Sequence, residues 1–345
     1  MQSRIYIANT YYQVYIAIIK DLNFKKRDDF TKADLMFTDV ATDFKDLHQR
    51  VEKIDLFENI FDLHQPPHWE LAPEEHAALG KGNEIKKLMT RIKYSKKITQ
   101  EIEKYVDFDF AAYDEVYMFD DADPLGFYFY KHKLRYICVE DALNMFQRDM
   151  REGERRFFRF RKMLFNMGLL YLQGAVGDNA YRIEVNDKTG VTCVEQEKLD
   201  EIPRDKLIEA LTDEERNLIY EVFEENGGEK EIPEGQKTVL ILAQCLYPTI
   251  VSSLELQRQA YQKIIDDYRD DYVIYLKPHP RDQLDYAEAF PDINILGKYY
   301  PVEILNLQNK LHFDLAVTIT STSIDGITIA DEKKIYGREY TKQFK

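Results

Sequence analysis

The residues best suited to chemistry lie in two short stretches near the end of the chain. Residues 272–277 form an apolar, partly β-branched run that stops at Pro278, His279, Pro280, Arg281 and Asp282. Residues 315–319 form a second such run, which stops at Thr320, Ser321, Thr322 and Ser323. His279 is the only one of seven histidines held between two prolines, whose restricted backbone presents the imidazole rather than leaving it to wander. A presented imidazole can give a proton to a leaving group. The Ser/Thr cluster stands where a strand ends and a helix over 324–330 is expected, so hydroxyls and free N–H groups point outward together, as in an anion site. Together the two stretches describe a phosphate held by hydroxyls and amides, with an imidazole, flanked by the cations Lys277 and Arg281, to neutralise developing charge. Each has a plainer reading, because His-Pro is common in turns and Ser/Thr runs serve as caps. What joins them is that buried parallel strands ending abruptly in polar loops open on one crevice.

The elements that must position these loops alternate between strand and helix. A first strand over 4–8 breaks at Asn9 and Thr10 before a helix over 14–20, the opening of a doubly wound domain. The loop has no glycine, which removes a dinucleotide fingerprint. Thr10 or Asn9 is most simply an N-cap. Strands follow over 34–38 and 54–62. Residues 65–82 read as a loop carrying Trp69, the single tryptophan, as a surface excursion pinned by that ring, with a sugar-binding aromatic wall of Trp69, His64, His68 and His76 as the rarer reading. A long solvent-facing helix spans 84–105. Strands over 114–119 and 134–139 end in acidic loops, Asp120, Asp121 and Asp123 in one and Glu140 and Asp141 in the other. The aspartates weakly resemble a metal-diphosphate site, although acidic strand ends commonly cap the next helix. A carboxylate of the Glu140–Asp141 pair could accept a proton from an acceptor hydroxyl.

Residues 186–236 are highly charged and read as an interdomain connection, with a capped helix over 212–225. A second α/β series then opens at 237–243, with Gln244 at its strand end facing the crevice. It runs through a helix over 252–268, a short strand at 294–296 and a helix at Glu303. The expected division is therefore 1–185, a first Rossmann-like domain; 186–236, the connection; 237–330, the second domain; and 331–345, a basic tail packing back across the first.

Composition bounds the function classes. The chain has 345 residues, 44% hydrophobic, 13% aromatic and a formal net charge of −15, which suits two globular domains and argues against general nucleic-acid binding. Cys138, Cys193 and Cys245 are odd in number and widely spaced, the pattern of reduced core residues in a cytosolic protein, with no zinc spacing. No signal peptide and no apolar run of about 18 residues is found, so no membrane span is expected. One segment departs from the acidic whole: Arg151, Arg155, Arg156, Arg159, Arg161 and Lys162 interleave with Phe157, Phe158 and Phe160. It could lie on anionic lipid headgroups, or pack its aromatic side on the core while its arginines pair with local acids.

Tyr11, Tyr12 and Gln13, then Glu140 and Asp141, then residues 275–280, then Pro301, Val302 and Glu303, then the hydroxyls of 321–323 form an ordered set. It resembles bacterial sialyltransferases, and most of all family 52 glycosyltransferases, which include the lipooligosaccharide sialyltransferases. The resemblance spans most of the chain through short motifs. It implies a GT-B architecture of two Rossmann-like domains whose parallel sheets face an interdomain cleft. It also implies an inverting, metal-independent transfer from CMP-sialic acid to a hydroxyl of a cell-surface glycan, with no cofactor beyond that donor, in lipooligosaccharide or capsule biosynthesis. On it, His279 protonates or hydrogen-bonds the leaving phosphate, Ser321, Thr322 and Ser323 hold that phosphate, and Glu303 sits near the ribose or base. Lys277, Pro280, Gln244 and Thr320 complete the donor side, and Thr10, Tyr11 and Gln13 the acceptor side. The base is Glu140 or Asp141, with Glu255 as rival. One departure is Ala142, where the related motif has glycine. The partners implied are a nucleotide-sugar donor and a glycan acceptor, in a cytoplasmic protein that is peripheral on the inner membrane if segment 151–162 binds lipid. A UDP-hexose donor, a non-catalytic glycan-binding protein and a homodimer stay open.

Overall fold

The computed structural model describes residues 2–141, 146, 152–223, 235–307 and 311–344. The chain divides into two compact units, Met1–Leu211 and Thr212–Lys345.

The first unit is built on a seven-stranded parallel sheet. Its strands are β1 (Arg4–Ala8), β2 (Asp34–Thr38), β3 (Ile60–Leu63), β4 (Glu115–Met118), β5 (Tyr136–Val139), β6 (Ala180–Val185) and β7 (Leu199–Glu201). The spatial order is β3-β2-β1-β4-β5-β6-β7. β1, β2, β4 and β5 are buried along their whole length, which is why they read as continuous apolar runs rather than alternating ones. The helix Tyr11–Phe24 leaves β1 through Thr10, whose side chain accepts the Gln13 N–H as an N-cap. Its inner charges are paired: Arg4 meets Asp21 at 3.1 Å, and Lys20 meets Glu184 of β6.

Sequence reasoning missed β6 and β7, and the charged stretch expected to connect domains extends this sheet instead. Glu184 and Asp200 look solvated in sequence, but Glu184 is buried against Lys20 and Arg182. The two units divide at 211/212, within the stretch 186–236 expected to connect them. The segment 65–82 is not a plain loop. Two short helices lie there, His68–Leu71, preceded by the extended N-cap Pro67, and Pro73–Ala78, which Pro73 starts, as proline does at first helical turns. Trp69 does not pin this excursion, being 58% exposed. Leu71 and Ala72 are buried in its place, and the buried Gln65 accepts the Leu125 N–H at 2.5 Å.

The second unit repeats the arrangement in five parallel strands, β8 (Thr238–Leu242), β9 (Val273–Lys277), β10 (Asn294–Ile295), β11 (Phe313–Thr318) and β12 (Ala330–Ile335), in the order β10-β9-β8-β11-β12. The helix Leu254–Tyr268 buries Ala260, Tyr261, Ile264 and Ile265 among Val239, Ile241, Leu276 and Val317. The helix expected over 324–330 is a single 3-10 turn, Thr322–Gly326, followed by β12. The β-branched Ile327, Thr328 and Ile329 disfavour a helix there, and β11 offers an open edge. The tail does not stand apart from this unit. β12 pairs with β11, and Phe344 is buried in the same core with Tyr336 and Tyr340 packed against it.

Candidate active site: the rims of the two sheets

In both sheets a late strand lies beside the first one, β4 beside β1 and β11 beside β8. Connections leave these neighbours towards opposite flanks, which opens a crevice at the carboxyl ends of the strands. An amide side chain spans each crevice.

In the second unit the spanning residue is Gln244, just past β8. Its Nε2 donates to Thr320 Oγ1 at 2.8 Å and its Oε1 accepts the Thr320 N–H at 2.8 Å. β9 lies on the other side of β8, so the His279 loop and the hydroxyl loop stand about 10 Å apart across Gln244, two strand spacings. In the hydroxyl loop, Ser321 Oγ lies 2.7 Å from Ser323 Oγ and accepts the Ser323 N–H, while Thr322 is exposed. His279 Nδ1 accepts the Arg281 N–H at 3.1 Å and lies 3.5 Å from the Cys245 thiol. With Nδ1 accepting, the proton of the neutral ring sits on Nε2. Burial, followed by Arg281, Lys277 and Lys298, lowers the His279 pKa to about 4. Lys277 is buried, its ammonium donating to the carbonyls of Pro278 and Lys298 and lying 4.1 Å from the Tyr300 ring centre. Pro280 is half-buried at the rim. Glu303, in the 3-10 turn Val302–Leu307, has its pKa raised to about 7 by burial, against the opposing pull of its own N–H and of Lys277.

The His279 loop is held from behind by a residue that sequence reasoning passed over. Gln257 is fully buried. It accepts the N–H groups of Leu246 and Tyr247 at 3.0 and 2.8 Å and donates to Asp282 at 2.8 Å. Asp282 in turn accepts the Tyr286 hydroxyl at 2.8 Å and donates its own N–H to the His279 carbonyl at 3.0 Å. A glutamine in the first turn of a helix carries no signal of this role beyond lying on the buried face with Ala260 and Tyr261. Cys245 and Lys298 were likewise unanticipated.

In the first unit the spanning residue is Asn9, just past β1, whose Nδ2 donates to Asp123 past β4. Gln13 joins the same rim to β5, its Oε1 accepting the Asn9 N–H at 2.7 Å and its Nε2 donating to Asp141 at 2.8 Å. Burial first, then Asp120, raises the Asp123 pKa to about 7. Thr10 is spent as the N-cap, and Tyr11 is buried against Phe44 with its hydroxyl donating to the Asp43 carbonyl. Both therefore shape the rim from beneath. Beside it, past β2 and β3, lies a cavity of about 930 Å³ lined by Phe37, Asp39, Asp43, His48 and His64 among others.

The carboxylates named in sequence separate clearly. Glu140 is buried and accepts the Asn186 N–H at 2.7 Å, while its carbonyl accepts from Arg204, so it fastens β5 to the loop after β6. Asp121 is buried and accepts from the Tyr136 hydroxyl and the N–H groups of Gly174 and Ala175. Glu255 is on the surface with Arg258, its pKa lowered to about 2 by hydrogen bonds from Arg258 and Gln259. Of Glu140, Asp141 and Glu255, Asp141 is the one joined to the rim amide Gln13. Among the described residues no cluster of His, Cys, Asp and Glu is arranged to hold a metal ion. Ala142 and Arg151 lie outside the described residues.

Two Rossmann-like domains with parallel sheets and ligand crevices at their carboxyl edges are the make-up of the GT-B glycosyltransferase class. The chain belongs to glycosyltransferase family 52, which matches residues 81–339. It is a glycosyltransferase, and its family implies a nucleotide-sugar donor and a glycan acceptor. Among solved structures it is similar to an α/β-galactoside α-2,3-sialyltransferase from Photobacterium phosphoreum. The two are 11% identical at a TM-score of 0.55, over 96% of this chain and 90% of the other, a likeness of fold. A sialyltransferase from Photobacterium damsela aligns at a TM-score of 0.49 and 11% identity, over 96% of this chain and 73% of that one. An uncharacterized protein of Haemophilus influenzae is 35% identical over 65 residues, 19% of this chain. That match spans about a fifth of the relative's own length, 21%. No helix among the described residues is long and apolar enough to cross a membrane.

Proposed function

We propose that this enzyme transfers sialic acid from CMP-sialic acid to a hydroxyl of a cell-surface glycan, with inversion and without a divalent metal or other cofactor. The observation that carries this reading is the rim of the second unit, with a neutral imidazole on one side of Gln244 and the hydroxyl loop on the other. Ser321, Thr322 and Ser323 hold the donor phosphate through hydroxyls and N–H groups. His279 donates its Nε2–H to a phosphate oxygen as the bond to the sugar breaks, and Lys277 adds positive field from beneath. Glu303, whose burial raises its pKa to about 7, meets the ribose or base as a hydrogen-bond donor in its protonated form.

On the acceptor side Asp141, aimed by Gln13, takes the hydroxyl proton. The freed oxygen attacks the anomeric carbon from the face opposite the departing CMP, and this single displacement inverts the centre. Metal-free transfer is supported by the first unit's acidic loop, where Asp121 is committed to three internal donors and Asp123 to Asn9. The test is a thermal-shift panel of CMP, UDP and GDP with EDTA present, followed by transfer from CMP-sialic acid. Stabilisation by CMP and EDTA-resistant transfer are expected. Stabilisation by UDP alone would mean a hexose donor, and loss of transfer in EDTA would return the acidic loop to consideration.

A further inference from the structure

Cations are concentrated on two neighbouring helices of the first unit, although the chain as a whole carries −15. The helix Glu84–Glu101 holds Lys86, Lys87, Arg91, Lys93, Lys96 and Lys97 against only Glu84 and Glu101. The helix Glu152–Asn166 carries Arg155, Arg156, Arg159, Arg161 and Lys162 in its sequence. Both turn their inner sides to one satellite core, where Ile98 and Ile102 meet Phe165 and Tyr171, and the Tyr171 N–H donates to Ser95 at 3.2 Å.

Their outer sides are not simply solvated. On the first helix the exposed positions are Glu84, Ile85, Lys86, Met89, Lys93, Lys96 and Gln100, with Ile85 at 76% and Met89 at 50% exposure. On the second, Arg159, Phe160 and Met163 are exposed, and Met167 and Leu169 continue the apolar run past its end. Lys87, Lys97 and Lys162 are paired, with Glu84, Glu101 and Glu195, and the exposed cations among the described residues of the two helices are Lys86, Lys93, Lys96 and Arg159. Trp69 stands exposed on the four-residue helix that packs against Glu84–Glu101.

We propose that this helical face docks on an anionic lipid bilayer, its large apolar side chains entering the headgroup boundary between lysines and arginines that meet lipid phosphates. The mixture decides the occupant. Nucleic acid would satisfy the cations but leave Ile85, Met89, Met163 and Met167 against a polar backbone, whereas a bilayer surface takes both kinds of group. A second copy of this acidic chain could offer charge but is no better match for the apolar residues. The inference is independent of which sugar nucleotide the enzyme uses.

The experiment is vesicle flotation of the full chain with phosphatidylcholine alone and with about one-third phosphatidylglycerol, at low and high salt. Trp69, the single tryptophan, serves as reporter. Flotation with anionic vesicles only, weakened by salt and accompanied by a blue shift of Trp69 emission, is expected. Met89→Glu with Ile85→Glu, and separately Lys93→Glu with Lys96→Glu, each lower partitioning roughly tenfold or more. All four positions are exposed, so circular dichroism stays that of the parent. No flotation with anionic vesicles, equal flotation with neutral ones, an unmoved Trp69 spectrum, or binding that survives both variants overturns the proposal. Self-association abolished by the same variants, with no vesicle binding, assigns the face to a second copy.

Discussion

Gln244 and Thr320 close a two-bond ring across the gap between β8 and β11, the carboxamide donating to the hydroxyl and accepting the backbone N–H, each at 2.8 Å. The hydroxyl loop is thereby set from the strand beside it as well as by its own Ser321–Ser323 bonds. Gln244→Leu removes both bonds and strands the Thr320 N–H, at a cost of about 1–3 kcal/mol. The expected outcome is a lowered Tm with CMP affinity reduced further than the Tm shift alone accounts for. Unchanged CMP affinity by calorimetry would show that the ring does not position the nucleotide loop.

His279→Ala is expected to lower kcat about 10²- to 10⁴-fold while leaving the circular dichroism spectrum intact. The pH dependence of the parent carries a second signature. The folded chain holds His279 neutral down to about pH 4, against an ordinary value of 6.5. The unfolded chain thus binds the extra proton in that interval, and stability falls as pH drops from 6.5 towards 4. The alanine variant loses this part of the slope. CMP, bringing a phosphate to Nε2, raises the pKa, so its binding takes up protons between these limits, measurable by calorimetry in buffers of different ionisation heat.

Glu303 has the opposite sign. Its folded pKa of about 7 exceeds the ordinary 4.5, so its contribution is fully present below pH 4.5 and is lost as pH rises through 7. Glu303→Gln removes that loss and raises the Tm at pH 8 relative to pH 5. A variant with the parent's pH profile would show that the carboxyl is not held protonated.

Asp141 and Glu140 are adjacent in sequence and should separate in the laboratory. Asp141→Asn is expected to reduce transfer about 10²- to 10⁴-fold with donor binding and Tm near the parent. Glu140→Leu leaves the Asn186 N–H unpartnered and lowers the Tm. If Glu140→Leu folds as the parent does while losing all transfer, the base has been assigned to the wrong carboxylate.

Gln257→Leu leaves two buried N–H groups and the Asp282 carboxylate short of a partner. Several kcal/mol of stability should disappear, seen as a large fall in the urea midpoint. Gln257→Glu keeps the acceptors for Leu246 and Tyr247 but sets a carboxylate against Asp282. Its Tm should therefore recover at low pH, which a merely steric role for Gln257 does not predict.

Much of this was legible in the chain. The strands β1, β2, β4, β5, β8, β9 and β11 announce themselves as apolar runs because both of their faces are covered, and the loops that follow them carry the rim residues in view. β6, β7 and β12 are not visible in that way. Residues such as Glu184, Asp200, Glu332 and Lys333 give them a solvated look, and their place is fixed by edges that only the assembled sheet provides. The same holds for Asp141 against Glu140 and Glu255. All three are plain carboxylates in sequence, and partners 46 residues away, in Glu140–Asn186, and one helical turn away, in Glu255–Arg258, are what distinguish them. Gln257 was hidden because nothing in a helix marks which polar residue faces inward.

The interleaved strand order bears on how the enzyme is made. β11 reaches its place beside β8 only after some seventy residues have intervened, with Leu315 opposite Val239 and Thr318 opposite Leu242. Closing so long a span is slow compared with winding a helix. A ribosome-bound chain that has not yet emitted residue 318 has the imidazole loop but neither the partner for Gln244 nor the serines. Nucleotide affinity should therefore arise late and abruptly during synthesis, at the moment the last central strand docks.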